Sequence, residues 1–172
     1  HCLLRRQRQM CIRDRIIQMI LEEKKKITLS LIETFNKASQ VALDLRGAGL
    51  KKEIKSDNTP VSNGDIEVNK ILTSKIQEIT PNIPIVSEES ANHKMDNDLN
   101  TFWLIDPIDG TRAFIIGAPT WSNLIGLSFK KKSVIGLANF PELNKYYISD
   151  KKKSYVFKNK KKFKPRCKKT YS

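Results

Sequence analysis

Between Ile16 and Leu50 the apolar residues Ile27, Leu31, Phe35, Ala38, Ala42 and Leu45 recur at three- and four-residue steps. That spacing gathers them on one face of a helix, and Gly47 and Gly49 supply its stop. The next stretch, KKEIKSDNTPVSNGD, is polar and turn-rich, and predicts a loop with a short strand around Glu53–Lys55. Asp65 fits the N-cap of a second helix. Its inward face would be Ile66, Asn69, Leu72 and Ile76, and it would end before Pro81.

After Pro81 the pattern shortens to that of strands. IPIVSEES is an apolar run ending in Glu88 and Glu89, ANHKMDNDLN is a polar loop, and FWLID is the next run. NLIGLSF and SVIGLANF, separated by Lys130–Lys132, predict an antiparallel hairpin with the lysines in its loop. KYYISD and SYVFK add two further strands. Two helices followed mostly by strands, without βαβ alternation, predict an α+β domain: N-terminal helices packed on an antiparallel sheet. There is no internal repeat.

Composition narrows the class. The 172 residues suffice for one domain, or one domain and part of a second. No apolar run approaches the roughly 20 residues of a membrane helix. The net charge of +14 is concentrated at the ends. Residues 151–172 carry eleven Lys and Arg and no acid, and residues 1–15 carry five Arg and one Asp. The chain therefore divides into a basic segment foreign to the fold (1–15), an α+β domain (16–157) and a basic tail (158–172). The Arg-rich start lacks the apolar core and small-residue cleavage site of a secretory signal. Cys2, Cys11 and Cys167 match no zinc spacing, and a reducing, cytoplasmic setting fits them. Tyr155, Phe157, Phe163 and Tyr171 are interleaved with the basic tail, the pattern of a nucleic-acid contact. The plainer reading is a basic proteome with a damaged or truncated end, which leaves an inactive fragment as the alternative, and nucleic acid is not the expected partner.

The candidate chemistry is carboxylate chemistry. If the runs ending IVSEE and WLIDPID are neighbours of the same sense, Glu88, Asp106 and Asp109 meet at one sheet edge. Three clustered carboxylates repel unless a cation offsets them. Oxygen ligands suit Mg²⁺, and the scarcity of His argues against zinc or copper. Pro107 and Ile108 separate the two aspartates, so in a regular strand they face opposite ways, and a turn at Pro107 is needed to aim both at one ion. Gly110 and Thr111 stand where TRAFIIG would start a helix, whose free N–H groups bind phosphate. Metal carboxylates beside an anion cradle imply phosphoryl chemistry without a covalent aspartyl intermediate. Trp103 and Trp121 read as packing residues, Arg112 as a solvated helix-start residue, and His93 as a loop residue rather than a ligand.

TPVSNGD, VSEES and WLIDPIDGTRAFIIG, in this order, resemble the inositol monophosphatase family of Mg²⁺-dependent, lithium-sensitive phosphatases. The likeness covers about residues 25–157. DPIDGTRAFIIGAPTWSNLIGL looks most like the histidinol-phosphatase branch, and TPNIPIVSEES more like the branch acting on 3′-phosphoadenosine 5′-phosphate. The resemblance implies the first part of a layered α/β/α/β/α fold and hydrolysis of a small-molecule phosphate, histidinol phosphate or an inositol phosphate. The alternative substrate is a 3′(2′),5′-bisphosphate nucleotide. It further implies that Glu88, Asp106 and the Ile108 carbonyl hold one Mg²⁺, while Asp106 and Asp109 share another. Asp65 and Thr111 would orient or deprotonate the attacking water, with Glu88 part of the catalytic set. Gly110 and Thr111 would bind the phosphate through N–H groups, and Glu89 would steady the ligands. Family members are commonly dimers, so a homodimer is expected. The family's further metal aspartate, in a Trp-Ala-Gly-Asp-like motif, has no counterpart in these residues, which would correspond to the N-terminal part of such an enzyme.

Overall fold

Ile27, Leu31, Phe35, Ala38 and Ala42 form a buried stripe along helix α1 (Lys24–Ala48), which closes with the Gly49 N–H bonded to the Arg46 carbonyl. The computed structural model describes residues 22–56, 58–89, 99–150, 154–158 and 161–163. Residues 1–15, the beginning of the first expected helix (16–21), His93 and residues 164–172 lie outside them. A short hairpin, β1 (Lys52–Ile54) and β2 (Pro60–Ser62), leads into helix α2 (Asn63–Ile79).

The buried face of α2 is Gly64, Asp65, Val68, Leu72 and Ile76, which corrects the expected stripe of Ile66, Asn69, Leu72 and Ile76. At roughly 100° per residue, Ile66 lies about 120° around the helix from Leu72, whereas Asp65 and Val68 stay near it. Ile66 is accordingly 43 % exposed. The N-cap is Ser62, not Asp65, because the helix begins three residues earlier than the apolar pattern indicated. Asp65 is the third helical residue and closes a capping box with Ser62.

Among the described residues a sheet of seven strands follows in the order β3 (Ile85–Ser87), β4 (Thr101–Asp109), β5 (Ser122–Phe129), β6 (Lys132–Phe140), β7 (Lys145–Asp150), β8 (Ser154–Lys158) and β9 (Lys161–Phe163). All neighbours are antiparallel except β3 and β4, which run in the same sense. The short helix α3 (Thr111–Ile116) lies between β4 and β5. The predicted β5–β6 hairpin forms, with Lys132 already in the strand. Only Lys130 and Lys131 make the turn, with the left-handed φ values (51° and 60°) of a two-residue hairpin loop. β9 extends the sheet into the segment assigned to the basic tail.

The core lies between the two long helices and one face of the sheet. Trp103, Trp121, Phe35, Phe114, Leu31, Leu72 and Ile76 are fully buried there. Each such side chain contributes roughly 1.5–3 kcal/mol of transfer free energy. The Trp103 indole N–H donates to Thr80 Oγ1 at 2.9 Å, so its polar end is satisfied inside the core. The opposite face of the sheet exposes Leu104 and Tyr147. Among the described residues no helix is long and apolar enough to cross a membrane.

Candidate metal and phosphate site

The parallel pairing of β3 with β4 sets Ser87 opposite Ile105. The Glu88 N–H continues the ladder to the Ile105 carbonyl at 3.1 Å, so Glu88 arrives beside Asp106. The two acidic strand ends therefore lie together, as the same-sense reading required.

Asp106 and Asp109 face the same way. No turn occurs at Pro107; strand β4 runs on to Asp109. Its register with β5 shifts instead: Asp106 pairs with Leu124 and Asp109 with Ser122, so Pro107 and Ile108 together face Asn123. Two residues opposite one is a β-bulge. Thr101, Trp103, Ile105 and Pro107 are buried in alternation, and then Ile108 is buried as well. The extra residue resets the pleat and leaves Asp106 and Asp109 on the same, outer side. Proline suits the position, since it has no N–H for the interrupted ladder to leave unpaired.

Burial pushes the Asp106 carboxyl up to about 7. The charges of Glu88 and Asp109, a hydrogen bond with Glu88 and the charge of Asp65 act in the same direction. Its Oδ1 is buried without a hydrogen-bond partner. Asp109 Oδ2 accepts from the Ser122 hydroxyl at 3.1 Å, and Glu88 is exposed. Among the described residues no three acidic, His or Cys side chains already stand together as a formed cation cage. The donor set nevertheless fits a hard divalent cation: all oxygen, an excess of negative charge, and one buried oxygen with nothing to bind.

Asp65 and Thr111 meet beside this cluster. Thr111 Oγ1 lies 3.0 Å from Asp65 Oδ1 and 3.1 Å from the Ile108 carbonyl, close enough to donate to either. Asp65 is 1 % exposed, and its Oδ2 accepts from the Ser62 N–H at 2.8 Å and the Ser62 hydroxyl at 2.6 Å. Ser62 thus orients Asp65, a role that the Ser-x-x-Asp spacing of the capping box signals. Gly110 takes φ +84°, a left-handed conformation open to glycine at little cost, and so starts α3 directly behind the bulge. Its N–H and that of Thr111 precede any intrahelical partner.

Packing fixes α3. The Phe114 and Trp121 rings meet edge to face, with centroids 4.9 Å apart. Glu142 accepts from the Trp121 indole and from the two terminal guanidinium nitrogens of Arg46, while Arg46 covers the Phe114 ring and donates to the Phe114 carbonyl. A Cβ on Gly64 would lie 2.9 Å from Phe114 Cε1, so α2 and α3 touch because this residue is glycine. Gly64→Ala is expected to cost about 1–3 kcal/mol by overpacking, read as a lower denaturant midpoint. An unchanged midpoint would show that the ring yields freely.

Lys55 was not anticipated. It follows β1 and pairs with Glu89 at 2.8 Å. Burial alone would lower its pKa, but the hydrogen bond to Glu89 and the charges of Glu89, Glu88 and Asp65 raise it overall. Lys55 therefore brings positive charge to the edge of the carboxylate cluster. No local pattern signals it, because the contact joins residues 34 apart in sequence. Glu89 is steadied further by its N–H to Ser87 Oγ at 3.3 Å. Trp121 is buried in the core, and Arg112 is exposed.

A carboxylate cluster at the end of a parallel strand pair, flanked by a Gly-Thr helix start, is a donor arrangement whose chemistry suits a hard cation and a phosphate. The chain belongs to the inositol monophosphatase family, whose sequence model matches residues 23–171. It is 40 % identical over 99 residues to the 3′(2′),5′-bisphosphate nucleotidase CysQ of Haemophilus influenzae, covering 56 % of this chain and 37 % of that protein. It is 33 % identical over 121 residues to the histidinol-phosphatase of Chlorobaculum parvum, covering 70 % and 46 %. The chain thus spans less than half of either relative. The Thermotoga maritima IMPase has the same fold over 81 % of this chain and 52 % of that one, with TM-score 0.68 and 24 % identity. A structure described as an IMPase/NADP phosphatase complexed with Mg²⁺ and phosphate matches with TM-score 0.68 and 17 % identity, over 79 % and 51 %.

Proposed function

We propose that this chain carries the metal and phosphate centre of a Mg²⁺-dependent phosphomonoesterase acting on a small-molecule phosphate. The observation that supports it most is the buried, unpartnered Asp106 Oδ1 among Glu88, Asp109 and Asp65. In this reading Glu88, Asp106 and the Ile108 carbonyl would hold one Mg²⁺, and Asp106 and Asp109 a second. When bound, the ions supply positive charge at the phosphoryl oxygens and make water acidic enough to attack. The protein's own groups do the rest. With its proton directed to Asp65, Thr111 Oγ1 presents a lone pair to the attacking water and takes up its hydrogen bond. As Thr111 takes a proton from the water its own would pass to Asp65, which Ser62 keeps in place to accept it. The Gly110 and Thr111 N–H groups would hold the phosphate. Glu89, tied to Lys55, would steady the backbone that presents Glu88.

Histidinol phosphate or an inositol phosphate is the leading substrate class. A second reading, a 3′(2′),5′-bisphosphate nucleotide, is favoured by the 40 % identity to the Haemophilus influenzae nucleotidase. The test is phosphate release from histidinol phosphate, inositol 1-phosphate and 3′-phosphoadenosine 5′-phosphate, with Mg²⁺ and with chelator. Release from one of the three that requires Mg²⁺ is expected. Release that persists in chelator overturns the reading. So does an absence of release together with no Mg²⁺-dependent rise in melting temperature.

A further inference from the structure

The bulge in β4 determines where Asp106 and Asp109 point, and β5 meets it with a polar residue. Asn123 stands opposite Pro107 and Ile108 on the core side of the sheet, fully buried. Its neighbours on that face, Ile125 and Leu127, are apolar and buried. The Asn123 side-chain amide donates to the Pro107 carbonyl at 2.6 Å. Its Oδ1 accepts from the Ser39 hydroxyl at 2.8 Å and the Asn139 amide at 2.9 Å, and Asn139 also donates to Ser39 Oγ at 2.8 Å. Pro107's carbonyl can only accept, so the orientation of the Asn123 amide is determined by chemistry. Ser39 on α1 and Asn139 on β6 are themselves buried. Helix α1, β5 and β6 thus converge through three side chains on one carbonyl in the middle of the bulge.

Burying three polar side chains in an apolar layer gives little net stability; a satisfied network contributes mainly a defined geometry. The peptide it holds lies between the two aspartates. We propose that Asn123 is a positioning residue: anchored by Ser39 and Asn139, it holds the Pro107 carbonyl and so locks the bulge that turns Asp106 and Asp109 to one side. This rests on the reading of those aspartates as cation ligands. Loss of a partner behind the ligands typically weakens metal binding 10- to 100-fold.

The test is Mn²⁺ titration of the chain, with free Mn²⁺ read by electron paramagnetic resonance. Asn123→Leu keeps nearly the volume and removes the donor. Val134→Ala, at a buried β6 position opposite Leu127 and Ser128 rather than Asn123, serves as a destabilised control. Asn123→Leu is expected to bind Mn²⁺ at least tenfold more weakly, while Val134→Ala binds within twofold of wild type. Wild-type affinity in Asn123→Leu, or equal weakening in both variants, overturns the proposal. If Asn123→Leu does not fold, Ser39→Ala decides: threefold or greater weakening supports the proposal, and unchanged affinity overturns it. Asp109→Asn separates the two layers. Should it bind Mn²⁺ as wild type does, the cation site itself is wrong; should it lose binding while Asn123→Leu keeps it, only the positioning role fails.

Discussion

Asp106→Asn is expected to raise the melting temperature of the cation-free protein at pH 8 and, in the same variant, to remove most of the Mg²⁺-induced stabilisation and of the phosphatase activity. The folded-state pKa of Asp106 is raised from 3.8 to about 7, first by burial and then by Glu88 and Asp109. The unfolded chain binds this proton less tightly than the folded one. Below about pH 4 the carboxyl is neutral in both states and costs nothing; between pH 4 and 7 the folded state is progressively penalised, and above pH 7 the penalty is complete. The side chain is only half buried, so water screens it, and the penalty is about 1 kcal/mol rather than the larger value the shift would imply in a dry interior. That corresponds to a gain of about 2–4 °C in the Asn variant.

The amide keeps the shape and removes the charge, so on the proposed reading the cation would lose the ligand common to both its sites, and activity is expected to fall steeply. Wild type should show the complementary pH dependence. Added Mg²⁺ should raise its melting temperature more at pH 8 than at pH 5, because protons compete for Asp106 at the lower pH. Differential scanning calorimetry with and without Mg²⁺ reads both effects. An Asn variant that melts below wild type at pH 8, or a Mg²⁺ shift larger at pH 5, would sink the account.

Thr111→Ala separates the handling of water from the binding of metal. Its hydroxyl reaches Asp65 Oδ1 at 3.0 Å, and Asp65 has no freedom to find another partner because Ser62 occupies its other oxygen twice. Losing a positioned proton acceptor costs about 10²–10⁴ in rate. The carboxylates are untouched, so the Mg²⁺-induced thermal shift should survive, and KM should change far less than kcat. Thr111→Ser, which keeps the hydroxyl, should recover most of the rate. A Thr111→Ala variant that turns over as wild type does, or that loses the Mg²⁺ shift, contradicts the assignment.

The elements that were readable have strong local causes. The α1 stripe, the β5–β6 hairpin and the Gly110–Thr111 helix start follow from periodicity and turn chemistry over a few residues. The misreadings have a cause too. In α2 the apolar Ile66 attracted the helix face toward itself, although the buried face carries Gly64 and Asp65, residues whose burial depends on Phe114 and Ser62. Asn123, Ser39 and Asn139 sit on faces that alternation assigns to apolar packing. Their partners lie up to 100 residues away.

Sequence alone determined that carboxylates stand at strand ends beside a Gly-Thr helix start, because these are local facts with local physical causes. Only the tertiary structure decided that β3 and β4 run in the same sense, that a bulge rather than a turn brings Asp106 and Asp109 to one side, and that Lys55 reaches Glu89. Each of those depends on pairing between segments distant along the chain, where register and packing, not propensity, set the geometry.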